Sequence, residues 1–329
     1  MELPNETLLE MFRDMLRSRR LDERGWVLQR QGKVSVHVSG LGHEATHIGA
    51  AYAIHRGKDY VVPYYRDLGL ILALGLTARE WMLGLYGKVG EPSSGGRQVP
   101  NHFGLRRANI VNTSSPVGTQ TPHAAGVALG IKLSGGDEIV LTTIGEGGTS
   151  QAEWYEALNW ASVHKLPLVC LVENNKYAIS VPVDKQMAVS SVAEKAAAFC
   201  MPGVSVDGND LLAVHAVMTE AVQRARGGGG PTLIEARTYR PTPHTSDDDD
   251  RSYRSREEVQ EWKKRDPILL FQAHLEEKAL LTQHMLDEME AQIKEEVDDA
   301  VAYADAAHYP AGDEGRGPVY VEDIRGRET

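Results

Sequence analysis

The chain has 329 residues, 42% hydrophobic and 25% charged, and a net charge of −11. That apolar content supports one large or two small α/β domains with a substantial core, and the acidic balance argues against nucleic-acid binding, which needs a basic face. Two cysteines without disulfide or zinc spacing point to a reducing compartment. No run is long enough to span a membrane, and the mixed-charge start lacks the apolar core of a signal peptide, so a cytoplasmic protein is expected.

Leu8, Phe12 and Met15 recur at helical spacing, widened by Leu9 and Met11. They predict a helix over 5–31 with Asn5 as N-cap and Gly32 as its stop. A second helix is expected from Gly40-Leu41-Gly42-His43-Glu44 to His55. His43 and His47 fall one turn apart on it, a spacing used in metal sites, but without a His-Glu-x-x-His pattern they read as packing or surface histidines. A short strand over 59–63 leads to Tyr64-Tyr65-Arg66. An arginine fork suits phosphate oxygens, although a surface arginine packed by tyrosine is the plainer reading. Residues 68–87 read as an apolar helical region. A Gly-, Pro- and Ser-rich loop follows, then Gly96 to His102. Asn112 to Gln120 is a polar, turn-rich loop before a helix over 122–133; its hydroxyls and carbonyls suit a hard cation, and helix capping equally.

The apolar runs Ile139–Ile144 and Leu168–Val172 have strand length. Between them lie Gly145-Glu146-Gly147 and a helical segment carrying Trp154, Leu158 and Ala161; Asn174-Asn175 follows the second run. In a parallel sheet both strands open on one edge, so Glu146 and Asn175 would sit side by side where such sheets bind ligands. A carboxylate and an amide oxygen are hard ligands of the kind Mg2+ takes when it bridges protein to phosphate. Gly147 and Gly148 allow close backbone approach, and the helix after them presents free N–H groups. Gly-Glu-Gly alone is a weak motif, and its pairing with Asn-Asn makes it specific.

Residues 190–240 read as helix, strand, helix and strand, with an Asp or Asn at 207–210 capping the helix to Arg226 and Gly227–Gly230 stopping it. The alternation predicts an α/β protein: a three-layer, doubly wound parallel sheet with helices on both faces and helical N- and C-terminal extensions. Arg240 to Arg256, with its run of aspartates, has the composition of a solvated, mobile loop. Residues 255–307 read as helical, and Val319-Tyr320-Val321 in the tail would pack on a partner or remain disordered. The expected division is 1–58 helical, 59–254 α/β, and 255–329 helices and tail.

The Gly-Glu-Gly and Asn-Asn pair resembles the thiamine-diphosphate motif. With Tyr-Arg, the Ser-Ser-Pro loop and the Pro-His-Thr loop, the chain resembles, from about Leu8 to Pro267, the alpha subunit of the decarboxylase component of 2-oxoacid dehydrogenase complexes, branched-chain and pyruvate types. The resemblance implies thiamine diphosphate with Mg2+ on Glu146, Asn175 and the Tyr177 carbonyl. It puts Tyr64, Tyr65, Arg66, Gly145, Gly147, Gly148 and His244 against the cofactor, with Ser115, Val117, Ala178 and Ile179 also lining it. His244 would bind diphosphate and help reductive acylation, the catalytic role. Val36, Tyr65, His102 and Ser115 would meet substrate. In branched-chain members a loop like this one holds K+, here on Ser114, Pro116, Thr119 and Gln120. Two departures matter. Glu173 stands where some members place an arginine toward phosphate, so it is not assigned to the cofactor. Thr245 stands where animal members carry a phosphorylated serine, so that control is not expected.

The chain shows no second α/β half to supply the glutamate such cofactors need at their aminopyrimidine. The resemblance therefore implies a beta subunit, two alpha with two beta, and acyl transfer to a lipoyl group on the acyltransferase core. The substrate would be a small 2-oxo acid. The Gln29–Lys33 turn and the Ser-Ser-Pro and Asp-rich loops look branched-chain, while Gly-Gly-Thr-Ser-Gln and Pro-His-Thr look as much like pyruvate enzymes; acetoin dehydrogenase is a third relative. A nicotinamide-binding oxidoreductase would also use a Gly-rich turn, but Ser150 stands at its third glycine position. A non-catalytic scaffold subunit would be expected to lose Glu146, Asn175 or His244, and all are kept.

Overall fold

The computed structural model describes residues 3–314. Its strands are β1 (Tyr60–Val62), β2 (Val140–Gly145), β3 (Leu168–Asn174), a short β4–β5 hairpin (Tyr177–Ala178, Val181–Pro182), β6 (Gly203–Asp207) and β7 (Thr232–Arg237). Five form one parallel sheet in the order β1-β2-β3-β7-β6. The helices are α1 (Asn5–Arg30), α2 (Glu44–Ala53), α3 (Leu68–Ala73), α4 (Ala78–Tyr86), α5 (Gln120–Ser134), α6 (Ala152–Val163), α7 (Leu211–Arg226), α8 (Arg256–Lys263), α9 (Pro267–Glu277) and α10 (Gln283–Ala306).

Strand alternation produces the three layers. Leu141, Val169, Leu171 and Ile234 face a core shared with α1–α4, α7, α9 and α10. Their neighbours Val140, Ile144, Leu168, Cys170 and Val172 face a second core with α5 and α6. The central strands are buried on both faces, which is why they read as continuous apolar runs. The α/β fold class expected from the sequence is borne out. α1 and α10 share the core of the sheet's first face, and ion pairs such as Arg17–Glu296 (2.7 Å) and Arg24–Asp298 (2.6 Å) line their seam.

Several local expectations need correction. Pro4, not Asn5, occupies the N-cap of α1, with φ −57° and ψ 145° and no side-chain cap. Proline holds φ near the value the cap needs and loses no donor there. The apolar stretch 68–87 is two helices: Gly75 turns at φ +115°, and Thr77 and Glu80 form a reciprocal capping box that restarts the chain as α4. The expected C-terminal helices after Ser255 are three, with Asp266 capping α9 and Thr282 capping α10. Asp210 caps α7 as expected, accepting from the Leu212 and Ala213 amides. The expected packing of 319–321 lies outside the described residues.

Candidate active site

The parallel strands end on one edge, and the chains leaving β1, β2, β3 and β7 surround a cavity of about 480 Å³. After β1 come Tyr64, Tyr65 and Arg66; after β2, Gly145 to Gly148; after β3, Asn175; after β7, the segment that carries His244. All these expected cofactor residues line that cavity. A side chain on Gly147 would put Cβ 2.5 Å from the Ala178 Cβ, and one on Gly148 would meet Ile144 at 2.5 Å and Val117 at 2.8 Å. The turn therefore needs glycine for close packing.

Two guanidiniums converge at this edge. Arg66 is 2% exposed and Arg240 is fully buried, and among the described residues neither forms an ion pair with a carboxylate. Arg240 donates instead to the Tyr177 and Ile179 carbonyls at 3.4 and 2.8 Å, and Arg66 to the Ser39 carbonyl. Both lie on one atom: His244 Nδ1 is 3.3 Å from Arg66 and 3.2 Å from Arg240. Guanidinium nitrogens only donate, so Nδ1 accepts and the proton of neutral His244 is on Nε2. Burial first, then Arg66 and Arg240, push His244 down to about 3, so it stays neutral. Burial and the nearby Arg66 also lower Arg240. Two buried cations without an anion make a site that attracts one.

Glu146 presents the complementary case. It is 2% exposed, and burial raises its carboxyl against the Gln186 and Asn175 hydrogen bonds. Gln186 donates to one oxygen at 3.2 Å and the Asn175 amide N–H to the other at 3.3 Å, and no cationic side chain pairs with it among the described residues. Asn175 sits beside it as expected, its Oδ1 accepting from the Tyr177 amide at 3.3 Å. A buried carboxylate, an amide oxygen and the Tyr177 carbonyl fit a hard divalent cation. Such a cation would supply the charge that Glu146 lacks, as a bound diphosphate would supply what Arg66 and Arg240 lack.

The sequence reading missed the layer beneath. His43 and His47 are buried and stacked at 5.8 Å, rather than on the helix surface. His47 lies 3.2–3.3 Å from Glu173, and Tyr64 donates to Glu173 at 2.8 Å. Asp67 completes the group; its ligand atom and those of His47 and Glu173 lie within 4.8 Å of one another. One oxygen each of Asp67 and Glu173 has no hydrogen-bond partner. A proton held between these acids satisfies both: burial and the Glu173 charge raise Asp67, while His47, 3.2 Å away, overcomes the burial penalty on Glu173 and holds it ionised. Glu173 is thus engaged below the cavity floor, which accounts for an acid at that position. Arg240, Asp67, His43 and Gln186 carry no local motif, so only the fold brings them in.

Around the mouth, His102 Nδ1 sits 2.9 Å from the Val99 carbonyl and Nε2 2.7 Å from Ser115 Oγ, so the imidazole donates to the carbonyl and accepts from the serine. Val117 and Ile179 stay exposed at the rim. Val36 does not line the cavity. It borders a separate depression near Tyr86 and Tyr309, and Val38 takes the wall because Asn101 Nδ2 donates to the Val38 carbonyl at 2.9 Å and holds it at the mouth. In the Ser-Ser-Pro loop, Thr119 Oγ1 bonds Ser114 and donates to the Pro116 carbonyl at 3.0 Å. Gln120 turns the other way, donating to the Thr143 carbonyl at 3.1 Å while accepting from Gly118. The Asp-rich loop, expected to be solvated and mobile, is held by ion pairs and hydrogen bonds. Asp250 pairs with Arg254, Arg251 with Asp249, and Asp248 accepts from the His244 amide at 2.8 Å and from the Tyr253 hydroxyl at 2.6 Å.

Comparison with known proteins places this geometry in context. The family described as dehydrogenase E1 component matches residues 12–312. The 2-oxoisovalerate dehydrogenase subunit alpha of Bacillus subtilis is 50% identical over 302 residues, covering 91% of this chain and 92% of that protein. The 3-methyl-2-oxobutanoate dehydrogenase subunit alpha of Mycobacterium tuberculosis is 41% identical, covering 91% of this chain and 80% of that protein. The pyruvate dehydrogenase E1 component subunit alpha of Bacillus subtilis is 39% identical, covering 93% and 80%. With a match over nearly the whole chain, this protein belongs to the dehydrogenase E1 component family, as the resemblance to its alpha subunits implied.

Proposed function

We propose that the chain is the alpha subunit of a branched-chain 2-oxoacid decarboxylase, holding thiamine diphosphate through Mg2+. One observation carries this: a buried carboxylate without a cation stands beside two buried guanidiniums without an anion. Metal-bound diphosphate answers both. Glu146, Asn175 and the Tyr177 carbonyl would hold Mg2+, while Arg66, Arg240, Tyr65 and the Gly147–Gly148 backbone would hold the phosphates. When bound, thiamine diphosphate supplies the carbanion and electron sink for decarboxylating a 2-oxo acid.

The protein's own part is positioning and proton control. The Nε2–H of neutral His244 donates into the cavity, toward phosphate or a reacting acyl oxygen. His102 and Ser115 present a polar pair at the mouth for the substrate carboxylate. Ser114, Pro116 and Thr119 offer convergent oxygens for a structural K+, with Gln120 as a fourth ligand after its side chain turns. The exposed apolar Val117 and Ile179 at the rim support a beta subunit closing the site, in an assembly of two alpha and two beta subunits that hands its acyl group to a lipoyl-bearing acyltransferase core. A cytoplasmic location follows the same reading.

The branched-chain substrate rests on 50% identity to the 2-oxoisovalerate enzyme's subunit against 39% to the pyruvate enzyme's. The test is kcat/KM of the chain co-expressed with its beta subunit. Branched 2-oxo acids should exceed pyruvate by at least about tenfold, since each methylene in an apolar pocket is worth ~1–3 kcal/mol. A preference for pyruvate would sink the branched-chain assignment.

A further inference from the structure

The Asn175 side chain has two faces that could be exchanged by a half-turn of its amide, and only one arrangement offers an oxygen to a cation. His43, the last residue before α2, selects between them. Its Nδ1 lies 3.1 Å from the Leu41 carbonyl, an acceptor, so Nδ1 carries the proton and Nε2 of the neutral ring is a lone pair. Asn175 Nδ2 lies 3.3 Å from that Nε2. On the other side Asn175 Oδ1 accepts from the Tyr177 amide at 3.3 Å. Turning the amide over would set Oδ1 against a lone pair and the NH2 against an N–H, losing both bonds inside a site where Asn175 is 3% exposed and His43 fully buried. The chain therefore runs Leu41 carbonyl, imidazole, carboxamide, with each proton assigned by its neighbour.

We propose that His43 is a positioning residue for the metal site: through the Leu41 carbonyl it fixes the Asn175 amide so that Oδ1 faces the cation beside Glu146. His43 itself touches neither cation nor cofactor. The proposal rests on Glu146 and Asn175 being metal ligands, as argued above. Partners of this kind behind a ligand typically change metal affinity ~10- to 100-fold when removed.

The test is Mn2+ binding, followed by electron paramagnetic resonance, to the chain co-expressed with its beta subunit in the presence of thiamine diphosphate. His43→Leu removes the acceptor; His43→Gln keeps one and serves if the leucine variant does not fold. His43→Leu should raise the Mn2+ Kd about tenfold or more, with His43→Gln falling between it and the unaltered protein. The discriminating measurement repeats His43→Leu with Asn175→Asp, whose two oxygens need no orientation. There the added effect of His43→Leu should shrink to about twofold or less, the coupling expected of residues acting through one another. An equal loss of affinity in both backgrounds would make His43 merely structural and overturn the proposal, as would unchanged affinity in His43→Leu. If the unaltered heteromer binds no Mn2+, the metal reading itself fails.

Discussion

At His244 two guanidiniums share a single lone pair, and that crowding has measurable consequences. The ordinary histidine value is 6.5 and the folded one about 3, set by burial and then by Arg66 and Arg240. Between those values the unfolded chain binds a proton that the folded chain does not. The stability contributed by neutral His244 is present above the ordinary value and is lost as pH falls from 6.5 toward 3. Thermal melts of the cofactor-free protein should show Tm falling through that window, with a shallower fall in His244→Gln. Bound diphosphate places negative charge between the arginines, so His244 should titrate higher and the fall should flatten; equal slopes with and without cofactor would refute the assignment. Arg240→Leu should weaken thiamine diphosphate binding by about 1.5–3 kcal/mol, roughly ten- to hundredfold in Kd by calorimetry, the usual worth of a hydrogen bond to a charged group. At this scale the sequence marked Arg66, Glu146, Asn175 and His244, which line one cavity, because each sits in a local motif. It concealed Arg240, Asp67 and His43, which only the fold brings to that edge. Nothing in the spacing of His43 and His47 distinguishes a helix-surface pair from a buried stack.

Among the elements, the turn between β2 and α6 is the least forgiving. An added methyl at Gly148 would stand 2.5 Å from Ile144, a residue of the second core. Gly148→Ala should cost about 1–3 kcal/mol of stability in denaturant titration, the scale of core overpacking, and reduce cofactor affinity with it. A variant as stable as the parent would mean the turn has slack that the packing denies. The start of α2 offers a second test. Arg19 on α1 reaches Glu44 at 2.6 Å and Asp266, the cap of α9, at 2.9 Å, and Glu44 is 1% exposed. Arg19→Met leaves a buried carboxylate unpaired, so it should destabilise by about 3–5 kcal/mol, partly recovered by adding Glu44→Gln. Helices and central strands were legible because their apolar periodicity is strong. The breaks within 68–87 and after Ser255 were not, since a capping box or an Asp-Pro start interrupts a pattern that remains apolar across it.

For the whole molecule, the three sequence segments share their packing. α1, α9 and α10 bury Phe12, Phe271 and Ile293 in the same core as β2, β3 and β7. We therefore expect the chain with its beta subunit to unfold without a separate early transition for residues 255–314. The layered fold was readable from alternating strands and helices, whereas the shared core was not, because the terminal helices pack across the whole length of the chain. The central claim is that this sheet edge pairs a metal-ligating carboxylate with a diphosphate cradle. The most direct measurement is calorimetric titration of thiamine diphosphate into the heteromer, with and without Mg2+, for the parent and for Glu146→Ala. Tight binding that needs Mg2+ and disappears in Glu146→Ala is the predicted result. Binding indifferent to Mg2+ or to Glu146, or none by a well-folded heteromer, would contradict it.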